Sequence, residues 1–173
     1  MSSSYLIALG SNQRHHSYGC PRDVVRAAME ELAALGTVTA RSKVIATDPI
    51  GPAQRRFANA TLILESEYDP PSLLTGLKCS EREFGRREGR RWGDRVLDLD
   101  IVLWSGGVFS DPTLTIPHCE YRGRAFVLAP ASEIAPFWRD PEIGLTVRQM
   151  HSRLSAPQAR KAPRQITGGV PLH

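Results

Sequence analysis

No apolar run in this chain approaches the roughly 18 residues needed to cross a membrane, so no membrane contact is expected. The opening Met1-Ser2-Ser3-Ser4-Tyr5 lacks the basic, apolar and small-residue order of a secretory signal, which predicts a cytoplasmic protein. Cysteine is scarce: Cys20, Cys79 and Cys119 are odd in number, far apart and in no Cys-x-x-Cys pair. Neither a disulfide framework nor a zinc knuckle is indicated, and reduced thiols are expected. The five histidines show no metal-ligand spacing, and no nucleophile-base triad emerges. The phosphate loop Gly-x-x-x-x-Gly-Lys-Ser/Thr is missing, and no Gly-x-Gly-x-x-Gly follows a strand. P-loop and Rossmann nucleotide sites are thereby disfavoured. Internal repeats and composition shifts that would mark a second domain are absent as well.

What remains is a chain of 173 residues, 41% hydrophobic, enough for one substantial core. A single domain over residues 1–154 is expected, followed by a flexible tail over residues 155–173, where Ala, Pro, Arg, Lys, Gln and Gly leave few apolar anchors. Net charge is +4, which favours anionic ligands without choosing among them. Tyr5 to Leu9 reads as a core strand closed by a turn at Gly10-Ser11-Asn12. Val25, Ala28, Met29, Leu32 and Leu35 recur at helical spacing between Pro21 and Gly36. Thr37 to Ala46 and Phe57 to Glu67 read as strands, separated by a fixed loop at Thr47-Asp48-Pro49-Ile50-Gly51-Pro52. Asp69-Pro70-Pro71 opens a helix carrying Leu73, Leu74, Leu77 and Phe84. Ser105-Gly106-Gly107 predicts a hairpin into a short Val108-Phe109 strand. Phe126-Val127-Leu128 and Leu145 to Leu154 read as short helices capping the sheet. The order β, α, β, β, α, β predicts an α+β fold, a ferredoxin-like layer sandwich with a mainly antiparallel sheet, flanking helices and mobile loops.

Within Trp92-Gly93-Asp94-Arg95-Val96-Leu97-Asp98-Leu99-Asp100-Ile101-Val102-Leu103, two carboxylates interrupt an apolar strand. On a strand Asp98 and Asp100 share one face, ~7 Å apart, while Leu97, Leu99 and Ile101 cover the other. An Asp-x-Asp pair is more often a structural ion pair. Here the apolar flanks and the inability of one arginine to neutralise both charges favour a metal, and hard oxygen donors suit Mg²⁺. Upstream arginines at 86, 87, 90, 91 and 95 fit a polyphosphate as the metal's cargo. Gly85 to Gly93 holds almost nothing apolar, so it is expected to be a mobile loop, with Trp92 available to cover a planar ring. His118, after Pro117 and before Arg122 and Arg124, is expected to donate to phosphate oxygen. His15, His16, His151 and His173 are expected to be exposed.

These residues carry a resemblance. Arg95-Val96-Leu97-Asp98-Leu99-Asp100-Ile101, preceded by Trp92-Gly93 and followed by Ile116-Pro117-His118, resembles the 6-hydroxymethyl-7,8-dihydropterin pyrophosphokinase family of folate biosynthesis. The likeness extends through Ala8-Leu9-Gly10-Ser11-Asn12, Thr47-Asp48-Pro49-Ile50-Gly51, Phe57-Ala58-Asn59-Ala60, Phe126-Val127-Leu128 and Glu133-Ile134-Ala135-Pro136. It implies transfer of pyrophosphate from ATP to the pterin hydroxymethyl oxygen, release of AMP, and two Mg²⁺ ions held by Asp98 and Asp100. By similarity Arg86 and Arg95 are phosphate and loop arginines, and Trp92 closes over the pterin. Phe57 and Phe126 sandwich the heterocycle, Asn59 reads its polar edge, and Thr47, Pro49 and Ile50 form the adjoining wall. The ATP positions implied are Glu81, Arg86, Arg95, Ile101, Thr115, His118 and Arg124. The resemblance also implies a monomer with small-molecule partners and no nucleic acid. Three departures stand out: the segment from Arg86 to Trp92 is one residue shorter, Thr113 stands where an arginine can occur, and Cys119 where an aromatic residue often follows the histidine.

Two other classes compete. A basic nucleic-acid binder would use the arginine loop on phosphates and Trp92 on a base, against the repulsion of Asp98 and Asp100. A non-catalytic pterin- or nucleotide-binding homologue would need a damaged aspartate pair or loop, and both aspartates are present.

Overall fold

The computed structural model describes residues 1–48, 55–85 and 96–156. Its elements are β1 (Ser3–Ser11), α1 (Pro21–Glu31), a 3-10 turn (Leu32–Leu35), β2 (Thr37–Arg41), β3 (Ile45–Thr47), β4 (Phe57–Ser66) and α2 (Pro70–Gly85). There follow β5 (Asp98–Trp104), β6 (Phe109–Ser110), β7 (Thr115–Ile116), a second 3-10 turn (Tyr121–Gly123), α3 (Ala125–Ile134) and α4 (Val147–Ser155). The main sheet runs β2-β4-β1-β5, with β3 also paired to β4, and every pairing is antiparallel. This is the ferredoxin-like α+β sandwich expected from the element order. No helix among the described residues is long and apolar enough to cross a membrane.

Local chemistry sets the helix ends. Pro21 occupies the first turn of α1, where a missing N–H costs nothing. Asp69 Oδ1 accepts from Ser72 N at 2.9 Å before α2, and Thr146 and Gln149 form a reciprocal capping box at α4.

The sheet separates two cores. On one face Ile7, Leu9, Ala60, Leu62, Leu64, Leu99 and Ile101 meet Val25, Ala28 and Met29 of α1 and Leu73, Leu77 and Phe84 of α2. On the other, Leu6, Val102 and Leu103 meet Val127, Leu128 and Ala131 of α3 and Val147 and Met150 of α4. The β1–β5 register shifts between Leu6 and Ile7, so two consecutive residues, Val102 and Leu103, both reach the second core. The apolar α3–α4 core takes up only part of its face, and the remainder carries the polar residues of the next subsection, Asn59 and Thr61 buried and Asp98 and Asp100 half-buried.

Three local expectations are corrected. Gly10-Ser11 is no turn: both residues continue β1, paired with Asn59 and Ala58 of β4. The Thr37–Ala46 strand is two strands broken at Ser42-Lys43-Val44. There Ser42 Oγ accepts from Thr61 N at 2.9 Å and Glu133 Oε2 accepts from Lys43 N at 3.1 Å, so two distant groups take over backbone bonding at the break. The turn after Trp104 forms, but β6 pairs with β7 rather than with β5. Of the histidines expected to be exposed, His16 is. His15 and His151 are half-buried, His15 because its ring stacks between His16 and Tyr18 beside Phe84. His173, the tail from residue 157, Pro49, Ile50 and the segment 86–95 lie outside the described residues.

Candidate active site

Antiparallel partners point to the same face of a sheet, so the pairings map this polar part of the face directly. One row reads Ile45, Asn59, Gly10, Asp98 across β3, β4, β1 and β5. The next reads Thr61, Ala8, Asp100. On the other side of the first row Thr47 faces Phe57. The central strand β1 thus contributes only Gly10 and Ala8 between Asn59 and Thr61 on one flank and Asp98 and Asp100 on the other. Between those flanks β1 carries only a hydrogen and a methyl group, a low strip (the trough) that is partly exposed at Gly10 and Ala8 and closed at the fully buried Thr61.

The trough walls are ordered by hydrogen bonds. Asn59 is buried and its Nδ2 donates to Thr47 Oγ1 at 2.7 Å, which fixes the amide plane and ties β3 to β4. A Cβ on Gly10 would lie 3.2 Å from Asn59 Oδ1, so any side chain at position 10 would push against that amide. Phe126 lies at the start of α3, packed at the border of the second core. The Arg124 guanidinium sits 5.7 Å from its ring centroid and bonds the Glu120 carboxylate.

The aspartate pair behaves as the strand pattern predicts. Leu97, Leu99 and Ile101 on the opposite face are 2%, 0% and 2% exposed, while Asp98 and Asp100 are half-buried. Burial, and then the charge of Asp98, push the Asp100 carboxyl above the usual carboxylate range, against the pull of His118, Lys78 and Arg124. His118 Nε2 stands 3.8 Å from Asp100 Oδ2. His118 Nδ1 accepts from Glu120 N at 3.2 Å, which leaves Nε2 as the ring's outward donor.

Beside Asp100 opens a cavity of about 360 Å³ lined by Leu74, Lys78, Ile101, Asp111 to Thr115, His118 and Cys119. Ile101, Thr115 and His118 thus meet at one wall with Asp100. Glu81 does not line this space: its carboxylate accepts from Leu99 N at 2.7 Å and from Lys78 Nζ at 2.8 and 3.0 Å. Arg124 likewise lies outside the lining and acts on Asp100 through its field. Lys78 is a cation that sequence reading missed; its only signal was its place one turn before Glu81 on a helix whose other face is core. Gly10 and Ala8 were also missed as site residues. Arg86, Trp92 and Arg95 lie outside the described residues.

Among the described residues no group of three or more His, Cys, Asp or Glu could hold a metal ion. Two same-face carboxylates that repel one another, next to a cavity, are nonetheless the donor set that fits Mg²⁺. That ion keeps waters and is completed by substrate phosphates rather than by an all-protein cage.

Comparison with known proteins agrees with this geometry. The family model described as 7,8-dihydro-6-hydroxymethylpterin-pyrophosphokinase (HPPK) matches residues 6–136. A 2-amino-4-hydroxy-6-hydroxymethyldihydropteridine pyrophosphokinase from Pseudomonas aeruginosa is 39% identical over 139 residues, 79% of this chain and 83% of the relative. One so named from Methylorubrum extorquens is 40% identical over 158 residues, covering 89% of this chain and 94% of the relative. A crystal structure of Plasmodium falciparum HPPK-DHPS superposes with a TM-score of 0.63 at 13% identity, covering 88% of this chain and 43% of that longer one, a likeness of fold. With a family model covering the sheet, both aspartates and the start of α3, this chain belongs to the 7,8-dihydro-6-hydroxymethylpterin-pyrophosphokinase family.

Proposed function

We propose that this chain transfers the pyrophosphoryl group of ATP to the hydroxymethyl oxygen of 6-hydroxymethyl-7,8-dihydropterin, releasing AMP, in folate biosynthesis. The observation that carries the reading is the double position of Asp100, at the flank of the trough and in the wall of the cavity. A flat heterocycle on the Gly10–Ala8 floor and a nucleotide in the cavity would meet at that residue.

In this reading the pterin lies between the Phe57 and Phe126 rings, its donor and acceptor edge on Asn59, with Thr47 holding the amide in place. Pro49 and Ile50 are assigned to that wall by the resemblance alone. The adenosine triphosphate lies along Ile101, Thr115 and His118, whose Nε2–H donates to a phosphate oxygen. The pterin oxygen attacks the β-phosphorus, the bond from β-phosphorus to the α-phosphate oxygen breaks, AMP leaves with that oxygen, and the hydroxyl proton passes to solvent water. No protein nucleophile is needed, so positioning and charge stabilisation carry the rate. Asp98 and Asp100 would hold two Mg²⁺ ions, and the chemistry supplied by bound Mg²⁺ is neutralisation and orientation of the triphosphate. Arg86 and Arg95 are assigned to the phosphates and Trp92 to the exposed face of the pterin, a closure that would exclude water. The reading includes a monomer at work in the cytoplasm, with light scattering as the check on mass.

The test is AMP release from ATP with Mg²⁺. AMP is expected only when the reduced hydroxymethylpterin is present and Mg²⁺ has not been chelated. AMP formed at the same rate without the pterin, or none with it, overturns the proposal.

A further inference from the structure

Glu81 sits on α2 with 13% of its side chain exposed, yet its carboxylate does not line the cavity. Its shortest contact is to the backbone: Oε1 lies 2.7 Å from the amide nitrogen of Leu99, the residue between the two aspartates. Strand β5 is an edge strand, paired on one side with β1 and flanked by no strand of the main sheet on the other, where Val102 O accepts from His118 N at 3.0 Å. In an antiparallel ladder N–H groups alternate between the two sides, so the Leu99 N–H turns outward. Unmet, it would leave the stretch between the two aspartates, at the start of β5, without an outer anchor and free to fray. The same carboxylate is balanced by Lys78 Nζ at 2.8 and 3.0 Å, so Glu81 adds little negative field to a pair of aspartates that already repel.

Building on the pyrophosphokinase reading, we infer that Glu81 is a positioning residue for the metal-holding pair. It clamps the Leu99 amide so that Asp98 and Asp100 keep a fixed spacing, and it also holds Lys78 in the cavity wall. Asp98 and Asp100 are paired inward with Gly10 and Ala8. Leu99 is held outward by Glu81, and three consecutive residues are thereby fixed from both edges. This role differs from a nucleotide contact, because it acts through the backbone amide and needs only an acceptor oxygen.

The two jobs of Glu81 can be separated. Glu81→Gln keeps an oxygen for the Leu99 N–H but loses the charge that holds Lys78, Glu81→Ala loses both, and Lys78→Ala removes only the cation. The readout is Mn²⁺ binding to the full chain with an α,β-methylene analogue of ATP, followed by electron paramagnetic resonance. A displaced outer partner of a metal ligand weakens binding by roughly 10- to 100-fold. Glu81→Ala is expected to fall in that range and Glu81→Gln within about threefold of the parent, while Lys78→Ala, a change in the cavity wall itself, is expected to weaken the analogue with and without metal alike. Glu81→Leu, which fills the space without an acceptor, replaces Glu81→Ala if the latter unfolds, and is expected to lose Mn²⁺ to the same degree. Unchanged Mn²⁺ affinity in Glu81→Ala or Glu81→Leu overturns the inference. So does Glu81→Gln as impaired as Glu81→Ala, or a loss of analogue binding in Glu81→Ala that appears equally without metal. Failure of the parent chain to release AMP would strike the functional reading instead and leave this comparison standing.

Discussion

Gly10 lies between Asn59 on one neighbouring strand and Asp98 on the other. The atom it lacks matters more than any freedom of its backbone, because a Cβ would come within 3.2 Å of Asn59 Oδ1. Gly10→Ala is expected to displace that amide at ~1 kcal/mol, raising the pterin KM about fivefold and leaving the ATP KM unchanged in steady-state kinetics. Asp98→Asn and Asp100→Asn are expected to cut AMP formation by roughly a thousandfold or more. They should leave the melting midpoint in chelator unchanged or higher, because burial and the Asp98 charge already disfavour ionisation of Asp100. Near-parental turnover in either variant contradicts the assignment. The aspartates were legible in the sequence because a period of two places residues on faces without knowledge of neighbours. Gly10 was not. Gly-Ser-Asn reads locally as a turn, and its place in a strand comes from pairing on both sides.

At the scale of elements, the helices were legible and the sheet edges were not. Apolar spacing and flanking prolines mark α1 and α2 with no outside information. The break between β2 and β3 depends on Thr61 and Glu133, which are 19 and 90 residues away from their partners. No local pattern encodes such partners. The same holds for β6, whose partner is β7 across a loop and not the strand that the Ser105-Gly106-Gly107 turn adjoins. Gly36, between the 3-10 turn and β2, shows how tightly these junctions close: a Cβ there would lie 2.2 Å from the backbone oxygen of Glu65. Because backbone cannot swing aside as a side chain does, Gly36→Ala is expected to destabilise the chain by about 3 kcal/mol in urea unfolding. Folded Gly36→Ala protein should keep parental KM values, since the junction lies at the far end of β4 from Asn59.

Over the whole molecule, one sheet serves two purposes: one face is closed by α1 and α2, the other is half core and half trough. The core half depends on a buried carboxylate. Asp140 is 0% exposed and accepts from Tyr121 Oη at 2.5 Å, from Arg122 Nε at 2.6 Å and from the amides of Glu142 and Ile143. Burial by itself would raise its carboxyl, but the bonds from Arg122 and Tyr121 prevail and hold it at about 2, below its ordinary 3.8. A carboxyl depressed in the folded state stabilises at pH values above the unfolded one, and that stability is lost as pH falls from about 4 to about 2. Asp140→Asn is therefore expected to cost about 3 kcal/mol at pH 7, because Arg122 loses a buried partner. Its stability should then vary less with pH across that acid window than the parent's, as followed by circular dichroism.

By itself the sequence determined the layer architecture, the two principal helices and the same-face aspartates, because each follows from side-chain periodicity within a single segment. The tertiary structure alone decided that Gly10 and Ala8 form a floor, that Asp100 borders both trough and cavity, and that Glu81 bonds the strand while Lys78 faces the ligand space. Those facts depend on which strands become neighbours and how a helix lies against an edge. Pairings between residues tens of positions apart are selected by the burial of the whole chain, and no window of sequence contains them.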